Sequence, residues 1–264
     1  MHRLVRNIRF SVNPFGSDES QGFNSYAGKP YGHGLSFFFE LAVGLAGQSQ
    51  TDTGFVLNVS DIDKIVRDHA VPLFVGRIQN SLANRIDMSL VQISALLKDT
   101  REVLKDKFPA AMLIELSLKL NPYRKIAFDC EDMNMVYFSE KFDFSAMHKL
   151  WNDKFSKEEN FRLFGKCANP SGHGHNYILE VTVKSPSEQD IRIGDFEQVI
   201  DSRFISLVDH KNLNADVPEF SEKNPTIENL AVFAWERLVD KFASEKLHSV
   251  TVWESDRTFC TYYG

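Results

Sequence analysis

The stretch His173-Gly174-His175-Asn176-Tyr177-Ile178-Leu179-Glu180-Val181-Thr182-Val183 decides how this chain folds. Side chains repeat every two residues along a strand, so His173, His175, Tyr177, Leu179, Val181 and Val183 share one face and the two imidazoles point the same way. Upstream, Phe142, Phe144 and Ala146 alternate with Lys141, Asp143 and Ser145, the pattern of a half-buried strand, and His148 falls at its end. Downstream, Asp195 reads as the N-cap of an amphipathic helix with Phe196, Val199, Ile200, Phe204, Leu207 and Val208 on one stripe, running into Asp209-His210. Pro225-Thr226 opens a second helix, with Thr226 as its cap and Ile227, Leu230, Ala231, Ala234, Leu238 and Phe242 as its apolar stripe. Strands over 249–254 and 258–263 complete the order strand, strand, helix, helix, strand, strand.

The first half reads the same way: strands at 4–11 and 36–43, helices from Ser60 or Asp61 to about Ala70 and over 89–107, then strands at 112–119 and 125–128. Short words recur in matching places. Phe10-Ser11 echoes Phe144-Ser145, and Gly32-His33-Gly34 echoes Gly172-His173-Gly174. Asp61-Ile62 echoes Asp195-Phe196, and Asp106-Lys107-Phe108 echoes Asp240-Lys241-Phe242. A period of about 130 residues far exceeds the roughly 20–50 of solenoid units. The expectation is an α+β chain of two tandem domains, 1–132 and 133–264.

The 264 residues are 43% hydrophobic and 25% charged, enough for one large core or two smaller ones and unlike a disordered or collagenous chain. Lys and Arg number 30 against 36 Asp and Glu, and the whole net charge of −6 falls in the second half. Neither half offers the basic surface that nucleic acid needs. No run approaches the roughly 18 apolar residues of a membrane helix, and the N-terminus lacks the apolar core of a signal peptide, so the expected location is cytoplasmic. Cys130, Cys167 and Cys260 stand at unrelated spacings, which argues against a disulfide framework and suits a reducing compartment.

The densest group of chemistry-bearing residues runs from Cys167 to His175, with His148 at the end of the preceding strand. Three imidazoles on adjacent strands suit zinc, at about 2.0 Å per Zn–N bond with one position open; ligand type also admits iron, nickel or copper. Taken as a pair, His173 and His175 equally fit two hydrogen-bonded histidines on a mixed face. Cys167 fits a small buried hydrophobe, a fourth metal ligand or an acid/base thiol. Asp209-His210 fits a solvated turn or an acid/base pair. Glu228, two residues inside a helix, suits the positive end of the helix dipole. Glu254 shares strand parity with Val250 and Val252, and a carboxylate on an apolar face calls for a partner or a ligand.

Five motifs in order resemble the 6-pyruvoyl-tetrahydropterin synthase family: Phe144 to His148, Leu163 to Tyr177, Asp209 to Leu213, Pro225 to Asn229, and Val252-Trp253-Glu254. The resemblance covers residues 141–264, with the first half a worn copy. It implies tandem tunnelling folds (T-folds), each an antiparallel four-stranded sheet with a pair of helices on one face. It also implies a homo-oligomer whose subunits join edge to edge into a barrel, which removes exposed sheet edges. By the same resemblance His148, His173 and His175 bind zinc, and Cys167 is the catalytic thiol, with Asp209 and His210 completing an intersubunit triad. Glu254 anchors a pterin ring, a task suited to a carboxylate because it accepts two hydrogen bonds from a guanidine-like edge. Thr226 and Glu228 lie in the segment that helps hold that ring. The implied reaction is a lyase step on 7,8-dihydroneopterin triphosphate with loss of triphosphate. Five residues separate Cys167 from His173, the spacing of the pyruvoyl-forming branch; the 6-carboxytetrahydropterin synthases of the queuosine pathway have three. That carboxy reaction, a non-catalytic pterin-binding scaffold and a structural zinc site closed by Cys167 are the alternatives.

Aligned through the shared words, the first half sets Pro14 opposite His148, Ala27 opposite Cys167, His33 opposite His173 and Leu35 opposite His175. Val75 and Gly76 face Asp209 and His210, Leu120 falls near Glu254, and Ser94 near Glu228. One zinc ligand remains, so residues 1–128 are expected to serve as sheet and barrel partners without metal or catalysis. Elemental analysis of the purified chain is expected to return one metal ion per chain, and two would overturn that assignment.

Overall fold

The computed structural model describes residues 1–15 and 36–264. The Gly32-His33-Gly34 word and the positions Ala27, His33 and Leu35 lie outside the described residues. The chain divides into two compact units, Met1–Phe138 with Ser185–Asp190, and Ser139–Lys184 with Ile191–Gly264.

In the first unit β1 (His2–Val12), β2 (Phe37–Gly47), β3 (Ala111–Lys119) and β4 (Arg124–Asp129) pair in that order, all antiparallel. Ile8, Phe10 and Val12, Leu41, Val43 and Leu45, and Leu116 and Leu118 take alternate positions along their strands and are at most 3% exposed. Against that face pack α1 (Val59–His69), α2 (Val71–Asn84) and α3 (Leu90–Leu104), with Phe74 of α2 edge-on to Phe10 at 5.1 Å.

Sequence periodicity gives two helices here, and the described residues form three. Asn58 caps α1, its side chain accepting the Ser60 amide, and α1 ends at His69. Pro72 then stands in the first turn of α2, where a missing N–H has no helical partner to lose, so a second helix starts at once. It runs through Val75 and Gly76, the pair set opposite Asp209 and His210, so the order in this unit is strand, strand, three helices, strand, strand.

In the second unit β5 (Met135–His148, from Ser139 on), β6 (His173–Pro186, up to Lys184), β8 (Lys246–Ser255) and β9 (Thr258–Tyr262) are neighbours in that order. The β6–β8 and β8–β9 pairs are antiparallel, and the short β7 (Lys211–Asn212) pairs parallel to β5. Between β5 and β6 lie α4 (Lys157–Phe164), opened by a reciprocal Ser156–Glu159 capping box, and a tight turn over Gly165–Ala168. Between β6 and β8 lie α5 (Ile193–Ile200), α6 (Ser206–Val208), α7 (Leu213–Asp216) and α8 (Ile227–Leu238). Tyr177, Leu179, Val181, Val250 and Val252 form the buried sheet face, covered by Phe204, Leu230, Ala231 and Ala234.

Two helix expectations need correction. Asp195 is not the cap: Arg192 takes that position without a side-chain bond. Asp195 sits in the first turn, 3.2 Å from Arg192 Nε, where a carboxylate complements the exposed amides. Nor is the helix continuous, since a π turn over Asp201–Ile205 separates α5 from α6. That wider turn rotates the apolar stripe, leaving Leu207 37% exposed while Phe204 and Val208 stay buried. Thr226 does cap α8, its hydroxyl accepting the Asn229 amide at 3.3 Å.

Among the described residues no helix is long and apolar enough to cross a membrane. All three cysteines are free.

Phe204 is fully buried, edge-on to Phe144 at 5.5 Å and tilted against Phe233 at 5.8 Å. Phe204→Ala is expected to lower stability by about 3–5 kcal/mol, read as an earlier urea midpoint at unchanged slope. A loss below about 1 kcal/mol would show that this aromatic stack does not hold the helices to the sheet.

Candidate metal centre

His148 closes β5, while His173 and His175 occupy the first and third positions of β6, so two neighbouring strands deliver three imidazoles to one face. One nitrogen from each lies within 4.8 Å of the other two. His148 Nε2 and His173 Nε2 are 3.1 Å apart. Two nitrogens each about 2.0 Å from a tetrahedral ion would stand roughly 3.3 Å apart. Without an ion that distance is a ring N–H···N hydrogen bond, and a cation taking the proton's place would convert it into ligation.

His148 is buried, and its Nδ1 lies 2.8 Å from the Pro225 carbonyl oxygen. A carbonyl only accepts, so Nδ1 carries the proton and the Nε2 lone pair faces the cluster. Burial, which strips water from the charged form, lowers the pKa of His148 against the opposing pull of that carbonyl, and lowers that of His175 against the opposing charge of Glu254. Both are thereby held in the neutral form that binds metal. His173 Nδ1 and His175 Nε2 are buried without a hydrogen-bond partner. Three convergent imidazoles, two of them with an unpartnered buried nitrogen, fit a borderline metal ion such as zinc.

The Pro225 carbonyl is itself pinned. Asn224 Oδ1 accepts the Trp151 amide at 2.8 Å, and Asn229 Nδ2 donates to the Asn224 carbonyl at 2.8 Å. Tyr177 lies beside His148, its hydroxyl 3.4 Å from Nδ1 and its ring stacked on Phe144 at 4.9 Å. Burial raises the Tyr177 phenol well above its ordinary pKa, so it stays a neutral hydroxyl. Gly172, at φ 68°, lets the loop into β6 pass the end of β5: a Cβ there would stand 2.9 Å from the His148 carbonyl oxygen.

Glu254, near the end of β8, brings Oε1 to 3.6 Å from His148 Nε2 and 3.5 Å from His175 Nε2. Cys167 sits in the tight turn after α4, its carbonyl accepting the Leu150 amide at 2.8 Å. Burial first, and the Glu254 charge second, push its thiol pKa up, so within this chain Cys167 is held as the thiol. Thr226 spends its hydroxyl on the α8 cap, directly after Pro225. Glu228 is exposed, and its charge is felt by Cys260 on β9, whose thiol is raised first by burial and then by Glu228.

Asp209 and His210 lie elsewhere. Asp209 Oδ1 accepts the Ser145 amide and Oδ2 meets His210 Nδ1, both at 2.8 Å, and these contacts, the amide foremost, lower the Asp209 pKa. His210 is in the left-handed region at φ 56°, with its own N–H on the Ser145 carbonyl and its side chain 81% exposed. It borders a shallow depression lined also by Ser145, Ala146, Met147, Gly174, His175 and Asn176, so His175 borders both the histidine cluster and this depression. The structure thus gathers the three histidines, Glu254 and the Thr226 cap, sets Cys167 within reach of the Glu254 charge, and holds the Asp209-His210 pair on the Ser145 backbone, beside a depression that His175 also lines. Pro225, Asn224 and Asn229 are contributors that periodicity does not flag. The one signal for them is the helix start at Pro225-Thr226.

The family described as 6-pyruvoyl tetrahydropterin synthase matches residues 137–264. Over 130 residues the chain is 38% identical to the 6-pyruvoyl tetrahydrobiopterin synthase of Homo sapiens, covering 48% of this chain and 90% of that protein. It is 38% identical over 125 residues to the protein of that name from Dictyostelium discoideum, covering 46% of this chain and 90% of the relative. A solved Caenorhabditis elegans 6-pyruvoyl tetrahydropterin synthase is 33% identical, covering 49% of this chain and 96% of that one, with a TM-score of 0.46.

Asn229→Ala frees the segment that presents the Pro225 carbonyl and is expected to weaken zinc binding about tenfold, the scale of outer-shell changes at metal sites. Competition with a chromophoric chelator measures it, and unchanged affinity would show that the pinned carbonyl does not set the His148 tautomer.

Proposed function

Because the chain belongs to the 6-pyruvoyl tetrahydropterin synthase family, we propose that its second unit is a zinc-dependent carbon–oxygen lyase acting on 7,8-dihydroneopterin triphosphate, expelling triphosphate and leaving a 6-pyruvoyl side chain. The observation that carries this reading is the convergence of His148, His173, His175 and Glu254 at the ends of three neighbouring strands. His148, His173 and His175 would hold zinc, whose charge would make the protons of a bound diol more acidic and offset the Glu254 field at Cys167.

The remaining roles fall to the chain's own groups. Glu254 accepts hydrogen bonds from the pterin edge, with Thr226 and Glu228 in the segment beside the ring. Cys167, once ionised to the thiolate, removes a proton from the side chain, and the Asp209-His210 pair relays one. Asp209 holds His210 Nδ1, so His210 Nε2 is the nitrogen offered outward. In this reading the exposed pair serves Cys167 of a second copy, and a homo-oligomeric barrel becomes part of the mechanism. The first unit is read as the non-catalytic member of a tandem T-fold duplication.

Mass spectrometry of the product from zinc-loaded protein and 7,8-dihydroneopterin triphosphate tests the reading. A 6-pyruvoyl product that disappears in Cys167→Ala is the expected result. A 6-carboxy product would keep the site and move the reaction to the alternative branch. Zinc and substrate retained without turnover would replace the enzyme by a pterin binder.

A further inference from the structure

The first unit contains a cavity of about 450 Å³ between β2, β3, α2 and α3. That is within the roughly 300–1,000 Å³ range of small-ligand sites. Its place in the scaffold can be located by register. The β2–β3 ladder slips by one residue between Gly44 and Leu45, and the β6–β8 ladder slips the same way between Thr182 and Val183. Laying one slip over the other sets Leu41 on Leu179, Phe39 on Tyr177, Phe37 on His175 and Leu120 on Glu254. The aromatic contacts agree. Phe39 lies 5.5 Å from Phe10 as Tyr177 lies 4.9 Å from Phe144, and Phe74 and Phe204 stand edge-on to those partners. The helix caps agree too: Ser89 opens α3 as Thr226 opens α8, which places Met88 where Pro225 stands. This register gives His175 the counterpart Phe37, two residues beyond the Leu35 suggested by the shared words.

Phe37, Met88 and Leu120 all line the cavity. The position that carries an imidazole, an orienting carbonyl and a carboxylate in the second unit is apolar in the first. At its mouth Phe37 is 50%, Leu82 44% and Ile86 47% exposed, while Leu41 and Leu118 deeper along the same sheet are at most 1% exposed. Exposed apolar groups gathered round a cavity mark a binding site. One charge stands among the lining residues, Arg85, and among the described residues no carboxylate pairs with it. Arg85 ends α2 at φ 55°, a left-handed conformation that glycine takes at lower cost, with its amide tied to the Ser81 and Leu82 carbonyls. Arg85 thereby places a cation at the rim of an apolar cavity.

We propose that this cavity binds an amphipathic monocarboxylate, its hydrocarbon body between Phe37, Ile93 and Leu118 and its head group on Arg85. An apolar cavity hydrates poorly, so a hydrocarbon entering it gains the full benefit of leaving water. A guanidinium receives a carboxylate through two parallel N–H bonds. The site stands on the first unit's cavity and is independent of the chemistry proposed for the second unit.

Titration of the full-length protein with carboxyl-labelled dodecanoate below its micellar concentration, by NMR and calorimetry beside dodecanol, is the test. Saturable binding at one site per chain is expected. Arg85→Gln is expected to weaken dodecanoate about fivefold and leave dodecanol unchanged. Ile93→Trp fills the cavity and should abolish both. Leu82→Glu, at the exposed mouth and harmless to the core, should weaken dodecanoate more than dodecanol. Absence of saturable binding to the wild-type chain, or wild-type dodecanoate affinity in both Arg85→Gln and Leu82→Glu, overturns the proposal.

Discussion

The hydrogen bond between His148 Nδ1 and the Pro225 carbonyl joins the end of β5 to the start of α8, and the arrangement of the second unit depends on it. It fixes which imidazole nitrogen faces the cluster. It also requires that the chain before α8 be held at one height, which the Thr226 cap, the Asn229 amide and the Trp151 amide together achieve. Gly172 completes the constraint from the other side, because any larger residue would drive the entrance of β6 into the His148 carbonyl. Site and fold are therefore built from the same contacts.

Electrostatics then separates the groups by task. Burial favours neutral histidines, the form with a lone pair to give. A single carboxylate, Glu254, is set against two of them and is the source of the added field at Cys167 and Tyr177. Beside β5 the Ser145 amide favours an ionised Asp209, which in turn holds His210. The histidine cluster thus gathers ring nitrogens round the Glu254 carboxylate, while the imidazole held by Asp209 is presented to solvent.

Much of this was legible in the sequence for one reason: a strand's period of two is robust, so His173, His175 and Tyr177 fall on one face whatever the exact strand ends are. The Thr226 cap was legible because Pro and Thr have distinct local chemistry at a helix start. Other features left no such mark. The π turn at Asp201–Ile205 preserves helical composition while changing the winding, so Leu207 looks like a core residue and is not. The helix through Val75 and Gly76 was hidden by a glycine that reads as a breaker and a proline that reads as a boundary. The Pro225 carbonyl is a main-chain atom, and no side-chain pattern announces it.

The paired ladder slips at Gly44/Leu45 and Thr182/Val183 carry a consequence of a historical kind. Side chains at a site can be exchanged one at a time, and here imidazole and carboxylate in one unit stand against phenylalanine and leucine in the other. A slip cannot be erased so gradually, because deleting its extra residue would turn every side chain beyond it to the wrong face of the sheet. The slip is therefore a harder-wired feature of each ladder than any side chain beside it, and it outlasts exchanges at the site.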